Sequence, residues 1–367
     1  MQQMKAGNRL YMSQGGTEMD AKLEGTGVSR RSLLFGAAMA GLMGVLNHEL
    51  VHAETSFSAA PAAGTSEKLN VSIFSKHLQW LGVAEAAALA KEMGFDAIDL
   101  TVRAEGHVLP ENAETDLPKA AEIIRKAGLD VSMITTDISV DNAALAEKVL
   151  GAAAKSGIHR YRWGGLKYDN RRPIAAQVEE MRPKMRALAQ LNERMQVCGM
   201  YHTHSGPGMV GACIWDLWLM FRDLDPQWMG INYDIGHATV EGGYGGWIAT
   251  SRLVKDYMRG IAMKDFLWQR NEKGSTHADP YDKSLGVQGA FVPHWCPIDS
   301  GMVHFDGFFE IVKTNGFSGP VQLHFEYPLG GAENGKKSLT IPRERVIETM
   351  RHDLQAVRAH MATQGLV

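Results

Sequence analysis

Met200-Tyr201-His202-Thr203-His204-Ser205-Gly206 reads as the end of a buried strand running into a glycine turn. Side chains alternate across an extended chain, so His202 and His204 share one face while Tyr201 and Thr203 share the other. Two imidazoles on one face of a strand end suggest a metal. Later strand-like segments end the same way, with Asp234 and His237 in Tyr-Asp-Ile-Gly-His, Lys264 in Ala-Met-Lys-Asp, and His324 and Glu326 in Leu-His-Phe-Glu-Tyr. Polar groups gathered at successive strand ends are what a barrel active site requires.

Outward from that stretch the chain alternates strand and helix, the pattern of parallel βαβ units. Val71 to Trp80, Asp96 to Arg103, Asp130 to Asp137, His159 to Leu166, Val197 to Thr203, Met229 to Ile235, Ile261 to Phe266 and Val321 to Tyr327 read as strands. Helical spacing marks 83–93, 117–127, 142–155, 174–196, 214–224, 247–258 and 343–360. In the second strand Asp99, Thr101 and Arg103 fall on one side and Ile98, Leu100 and Val102 on the other, as expected between a polar interior and a helical layer. The expected fold is α/β, a (β/α)8 barrel over residues 69–367. A doubly wound open sheet shows the same alternation but needs a glycine fingerprint after its first strand, and Phe74-Ser75-Lys76-His77-Leu78 has none. Gly242-Gly243-Tyr244-Gly245-Gly246 lacks the Lys-Ser/Thr of a phosphate-binding loop.

Hydrophobic residues make up 45% of the 367, ample for a sizeable core. A net charge of -3 disfavours a protein that lives on nucleic-acid phosphates. Residues 1–53 read as a targeting segment: Ser29-Arg30-Arg31-Ser32-Leu33-Leu34-Phe35 is a twin-arginine pattern, followed by the apolar run Leu33 to Leu46 and the cleavage-like Val51-His52-Ala53. The run is shorter than the roughly 20 residues of a membrane span, so no permanent anchor is expected. Export through the twin-arginine machinery to the periplasm follows, with Met19 a candidate start and residues 54–68 a flexible tether. Cys198, Cys213 and Cys296 have neither the even count nor the spacing of a disulfide framework or zinc knuckle.

A long insertion, about 267–304, interrupts the last units and reads as a lid over the barrel mouth; it holds His277, His294, Trp295, Asp299 and Gly301. A mixed imidazole and carboxylate shell suits a divalent ion such as Mn2+, Mg2+, Co2+ or Zn2+. His202, His204, Asp234 and Glu326 are the candidate ligands, and Glu326, His237 and Lys264 the candidate catalytic groups. Asp234 could equally cap a helix, and Lys264 could polarise a carbonyl or simply ion-pair with Asp234 or Glu326. Lys76, His77, Arg103, His107, Arg162, His294 and His324 are placed to hold a substrate, with Trp163 or Trp80 as an apolar platform for a sugar face.

The order Tyr-His-x-His-x-Gly, Asp-x-Gly-His-Ala, Lys-Asp, Ser-Gly-Met-Val-His-Phe and a final Glu resembles the xylose isomerase-like TIM barrel superfamily over roughly Leu69 to Leu329. The resemblance implies a divalent ion acting as Lewis acid on a ketose or keto-polyol while a carboxylate or imidazole moves the adjacent proton. It implies a sugar isomerase or epimerase, acting on an unphosphorylated sugar if the enzyme is exported. Epimerases of the group place Glu where this chain has His202, and many members have His where this chain has Ala262. The Tyr-His-x-His strand resembles the inosose dehydratase branch, which implies a lyase or hydratase on a keto-sugar or keto-glycoside as the second reading. A non-catalytic sugar-binding protein is a third. The endonuclease branch needs more ligands than this chain supplies. A homo-oligomer is compatible with all of these.

Overall fold

The computed structural model describes residues 68–270 and 291–367. Its first half runs β1 (Val71–Phe74), α1 (Val83–Met93), β2 (Ala97–Val102), α2 (Ala113–Lys126), β3 (Asp130–Thr136), α3 (Ala143–Lys155), β4 (Arg160–Gly164) and α4 (Ile174–Met195). The second half runs β5 (Cys198–His202), α5 (Trp215–Phe221), β6 (Met229–Asp234), α6 (Ile235–Gly242), α7 (Gly246–Leu253), β7 (Met258–Met263), β8 (Asp265–Arg270), β9 (Phe291–Cys296), α8 (Phe305–Thr314), β10 (Val321–Leu323) and α9 (Arg343–Thr363). Strands β1 to β7 and β10 close into a parallel barrel, in the order β1-β10-β7-β6-β5-β4-β3-β2. This is the expected (β/α)8 architecture. Strands β8 and β9 form a separate antiparallel pair.

Register explains which side chains fill the barrel. Phe74 pairs with Asp99, Asp99 with Met133, Thr135 with Arg162, Arg162 with Met200, and Asp234 with Ala262. Paired residues lie on the same side of a sheet, so these residues form one inward set with His202 two positions beyond Met200. The opposite set, Ile73, Ile98, Leu100, Tyr161, Trp163, Tyr201 and Tyr233, joins the helices in the main apolar core. The lower barrel is mixed: Met133 and Met200 pack together, and Asn232 donates to Gln322 at 2.8 Å.

Strand ends depart from expectation in three places. The first strand stops at Phe74, and Ser75–Leu78 turn into a short 3-10 helix. The run to Tyr327 is a strand only as far as Leu323, so His324 and Glu326 stand in the loop above it. The seventh strand is shifted earlier, to Met258–Met263, and the helix expected at 247–258 is correspondingly shorter, Gly246–Leu253. Helix α8 was not anticipated: its start is capped by His304, which accepts from the Gly307 amide at 2.9 Å, so the inserted region ends directly in the seventh unit's helix.

The expected signal region, the tether up to residue 67 and His277 lie outside the described residues. The three cysteines are free, Cys198 and Cys296 buried and Cys213 exposed. No helix of the described residues is long and apolar enough to cross a membrane.

Candidate active site

The motif Asp234-Ile235-Gly236-His237 joins β6 to α6. Asp234 is the N-cap residue, its Oδ1 accepting the His237 amide at 2.9 Å, while its own amide donates to Thr203 Oγ1 at 2.9 Å. Capping occupies one carboxylate oxygen and leaves the other, Oδ2, buried without a hydrogen-bond partner. Gly236 is required by the close passage of Lys264: a Cβ there would lie 2.7 Å from Lys264 Cγ and 2.9 Å from the Lys264 carbonyl oxygen.

Lys264 therefore crosses the start of α6 and ends among polar groups. Its Nζ lies 2.6 Å from His237 Nε2, 2.8 Å from Glu326 Oε2 and 3.3 Å from Asp234 Oδ2, with the Trp295 ring centroid 4.2 Å away. An ammonium can only donate, so His237 Nε2 accepts and its Nδ1–H donates to Ser205 Oγ at 2.7 Å. Burial first, and then the Lys264 charge, keep His237 neutral, well below the usual imidazole range. Glu326 is held from its other side by Lys76 Nζ at 3.1 Å. Burial opposes ionisation of Glu326, but Lys264 and Lys76 together hold it well below the ordinary carboxylate range.

Against these groups stand three buried residues with open atoms. His202 Nε2 is 3.6 Å and His324 Nδ1 is 4.0 Å from Asp234 Oδ2. His202, Asp234 and His324 each bring a donor atom within 4.8 Å of the others, as do His202, His204 and His237. The two sets differ in what their atoms already do. In the second set His237 has both ring nitrogens engaged, while His204 has Nε2 facing Arg162 Nη2 at 3.4 Å and Nδ1 buried without a partner. In the first set both nitrogens of His324 are buried without partners, and Asp234 Oδ2 accepts no hydrogen bond but has the Lys264 ammonium 3.3 Å away. Buried polar atoms are nearly always satisfied, so such a group of orphans fits a cation. Burial pushes Asp234 up to about 6 despite Lys264, and pushes His202 and His324 far down, so both imidazoles are neutral, as ligands must be. Asn232 Nδ2 lies 3.1 Å from His202 Nδ1 and orients that ring.

Several expected residues fall elsewhere. Glu326, named as a ligand, belongs to neither set and is tied to Lys76 and Lys264 instead. His77 has no nitrogen left for a substrate: Nε2 accepts from the Phe325 amide at 3.1 Å and Nδ1 faces the Ala332 carbonyl at 3.2 Å. Trp163 is buried on the helical side against Tyr201, so it offers no sugar platform. His294 is exposed, because the alternation that aims Trp295 at Lys264 and His237 turns His294 away. His107 bonds Thr101 Oγ1 at 3.2 Å in the turn after β2, and burial pushes it down to about 4. Lys76, Arg103, Arg162 and His324 do converge, around the Phe74 ring. Thr203, Ser205 and Asn232 join the site without having been expected there, and Trp295 was named only as part of the insertion; Asn232 shares the face of Asp234, two residues on, and follows from alternation.

A cavity of about 630 Å³ lies away from these groups, outside the barrel between α6, α7 and α8, lined by Trp247, Phe266, Trp268 and Met302. Its walls are apolar and none of the cluster lines it, so the chemistry lies with the polar barrel mouth.

No curated protein matches the chain. Solved structures of low identity share its fold. A 3-keto-D-glucoside 4-epimerase from E. coli superposes with TM-score 0.55 and 14% identity over 80% of this chain and 100% of its own. A D-psicose 3-epimerase solved in the presence of D-fructose gives 0.56 and 11% over 80% and 99%. The IolI protein with a zinc atom gives 0.59 and 11% over 80% and 99%. The family model of the xylose isomerase-like TIM barrel matches residues 87–351, most of the barrel and most of the chain, and the chain belongs to that family.

Proposed function

We propose that this chain is a divalent-metal-dependent sugar-modifying enzyme that enolises an unphosphorylated sugar or keto-sugar, giving isomerisation or epimerisation. The observation that carries the reading is the pair of buried, unpartnered nitrogens of His324 beside His202 and Asp234 Oδ2, an oxygen that accepts no hydrogen bond, in a barrel mouth that also holds an ionised carboxylate. Bound by His202, Asp234 and His324, an ion such as Mn2+, Mg2+, Co2+ or Zn2+ would supply Lewis-acid polarisation of a substrate carbonyl. The remaining work falls to the chain's own groups. Glu326, kept ionised by Lys264 and Lys76, takes the proton from the carbon next to the carbonyl. The electron pair moves onto the carbonyl oxygen, where the Lys264 ammonium offsets the developing charge. Return of the proton to the former carbonyl carbon, with the hydroxyl proton of the enediolate passing to the former carbonyl oxygen, completes an isomerisation, and return to the original carbon from the opposite face completes an epimerisation. Trp295 shields Lys264 and His237 from water.

His202, standing where epimerases of the group carry a second glutamate, favours a second reading, in which the same enolate expels a β-hydroxyl as water. One experiment separates the two. Metal-loaded protein is incubated with ketoses and keto-glycosides in deuterated water and the products are weighed. A product of unchanged formula, with or without deuterium at carbon, supports isomerisation or epimerisation, and loss of one water supports the lyase. Absence of both product and exchange from every substrate, with the ion present, overturns both. The twin-arginine pattern at Arg30-Arg31 supports a periplasmic location, tested by fractionating cells that express the full chain beside its Arg30→Lys, Arg31→Lys form.

A further inference from the structure

We propose that the substrate is an anionic sugar derivative whose carboxylate or phosphate oxygens are received by Arg162 and Arg103 beside Phe74. The inference rests on the functional reading above and adds the substrate's charge to it. Phe74 is buried at the end of β1, its ring 4.9 Å from that of His324. Around it stand three cations: Arg162 Cζ at 5.3 Å, Arg103 Cζ at 5.4 Å and Lys76 Nζ at 5.4 Å from the ring centroid.

Their partners differ. Lys76 is matched by Glu326. Among the described residues Arg103 makes no ion pair or side-chain hydrogen bond, and Arg162 has only the long contact to His204 Nε2. Arg162 Nη1 is buried with no partner at all. Asp99 answers this charge only in part: burial pushes its carboxyl up to about 7 against the attraction of Arg162 and Arg103, and its oxygens share the Thr135 hydroxyl at 2.9 Å rather than bonding either guanidinium. Burial lowers Arg162 only to about 10, so the guanidinium stays charged at neutral pH.

The two remaining carboxylates, Asp234 and Glu326, are shared by Lys76 and Lys264. The guanidiniums of Arg103 and Arg162 are thus only partly offset and their donors largely unfilled, and a bound divalent ion would add to the positive excess. A ring face offsets part of such a charge but fills no donor position. A neutral sugar's hydroxyls would fill donors and leave the charge. A carboxylate or phosphate does both, because its oxygens match the planar fork of a guanidinium. Two guanidiniums about one ring also set where the anionic end lies: on the β1 and β4 side, next to His324, with Glu326 and Lys264 across the site.

The test uses full-length wild type, Arg162→Gln and Arg103→Gln, each first assayed for bound metal. All three are then titrated by calorimetry with D-glucose, D-glucuronate, D-gluconate, 2-keto-D-gluconate and D-glucose 6-phosphate. The proposal expects at least one anion to bind wild type about tenfold or more tightly than D-glucose, and this preference to collapse in both variants while the ion is retained. Preference for the phosphate alone identifies the oxyanion as phosphate and removes the expectation of an unphosphorylated substrate. Equal binding of all five, no binding of any anion, or an acid preference that survives both substitutions overturns the proposal. Loss of stoichiometric metal in wild type undermines the functional reading instead, so the two failures are distinct.

Discussion

The Lys264 ammonium stands 2.8 Å from the carboxylate of Glu326, a residue 62 positions away, and meets His237 Nε2 with the same nitrogen at 2.6 Å. One cation thus joins the two groups best placed to move a proton, and its path is fixed by the missing side chain of Gly236.

Lys264→Met removes the larger of the two attractions that keep Glu326 ionised. Since the Glu326 carboxyl lies below its ordinary range in the native protein, the acid limb of the rate profile moves to higher pH in the variant. Turnover at neutral pH falls on the order of 100-fold or more, as when proton transfer loses its positioned group. A pH–rate profile of both proteins checks this, and an unmoved acid limb would remove Glu326 from the role of base.

His324→Ala should abolish stoichiometric metal binding, whereas His204→Ala should keep it, because the His204 set contains no carboxylate and its His237 has both ring nitrogens engaged. Elemental analysis after dialysis decides between them. Chelation of the wild-type ion should also lower its melting temperature, because an ion bound only by the folded chain stabilises it. Retention of metal by the His324 variant and loss by the His204 variant would transfer the assignment to the other histidine set.

Gly236→Ala drives a methyl group into the Lys264 stem and carbonyl. A destabilisation of about 1–3 kcal/mol is expected from such overpacking. Urea denaturation measures it, and a variant with the stability and turnover of wild type would show that Lys264 has another path.

His360 gives a pH dependence of opposite sign to that of a paired carboxylate. Its ring bridges Asp306 and Asp299, each at 2.7 Å, tying α9 to the first turn of α8 and to the loop before it. Burial lowers its proton affinity, but the two carboxylates prevail and the pKa is raised. The stabilisation is fully present below the unfolded value of roughly 6.5 and is lost as pH rises through the raised folded value. Melting curves at roughly pH 6 and pH 8.5 should differ less for His360→Gln than for wild type. Equal differences in the two proteins would remove the bridge as a contributor.

Alternation along strands made most of the barrel legible before any coordinates. It placed Asp99 and Thr101 inward, and it set His202 and Asp234 on the faces that meet. It was applied less strictly to Trp163 and His294, whose faces follow from Arg162 and Trp295 beside them. Strand ends were harder. Leu323-His324-Phe325-Glu326-Tyr327 keeps its alternation after ladder hydrogen bonding has stopped, because Phe325 is still buried and its amide is taken by His77. The ion pair of Lys264 with Glu326 is among the alternatives the sequence offers, but the second partner, Lys76, lies 250 positions away and no local pattern points to it. Asp265 shows the same limit: beside Lys264 it looks like a second site acid, yet it accepts the amides of Phe266, Gly301 and Val303 and anchors the return from β9.

Strand β10 is the short stave that seals the ring, pairing with β1 on one side and β7 on the other. His324 follows it directly, whereas His202 and Asp234 belong to neighbouring staves laid down earlier. With β10 undocked from β1 and β7 the chain would hold two of the three donors, and it acquires the third only when the ring is closed there. Competition with a metal-sensitive dye during refolding would therefore time the moment the cylinder shuts.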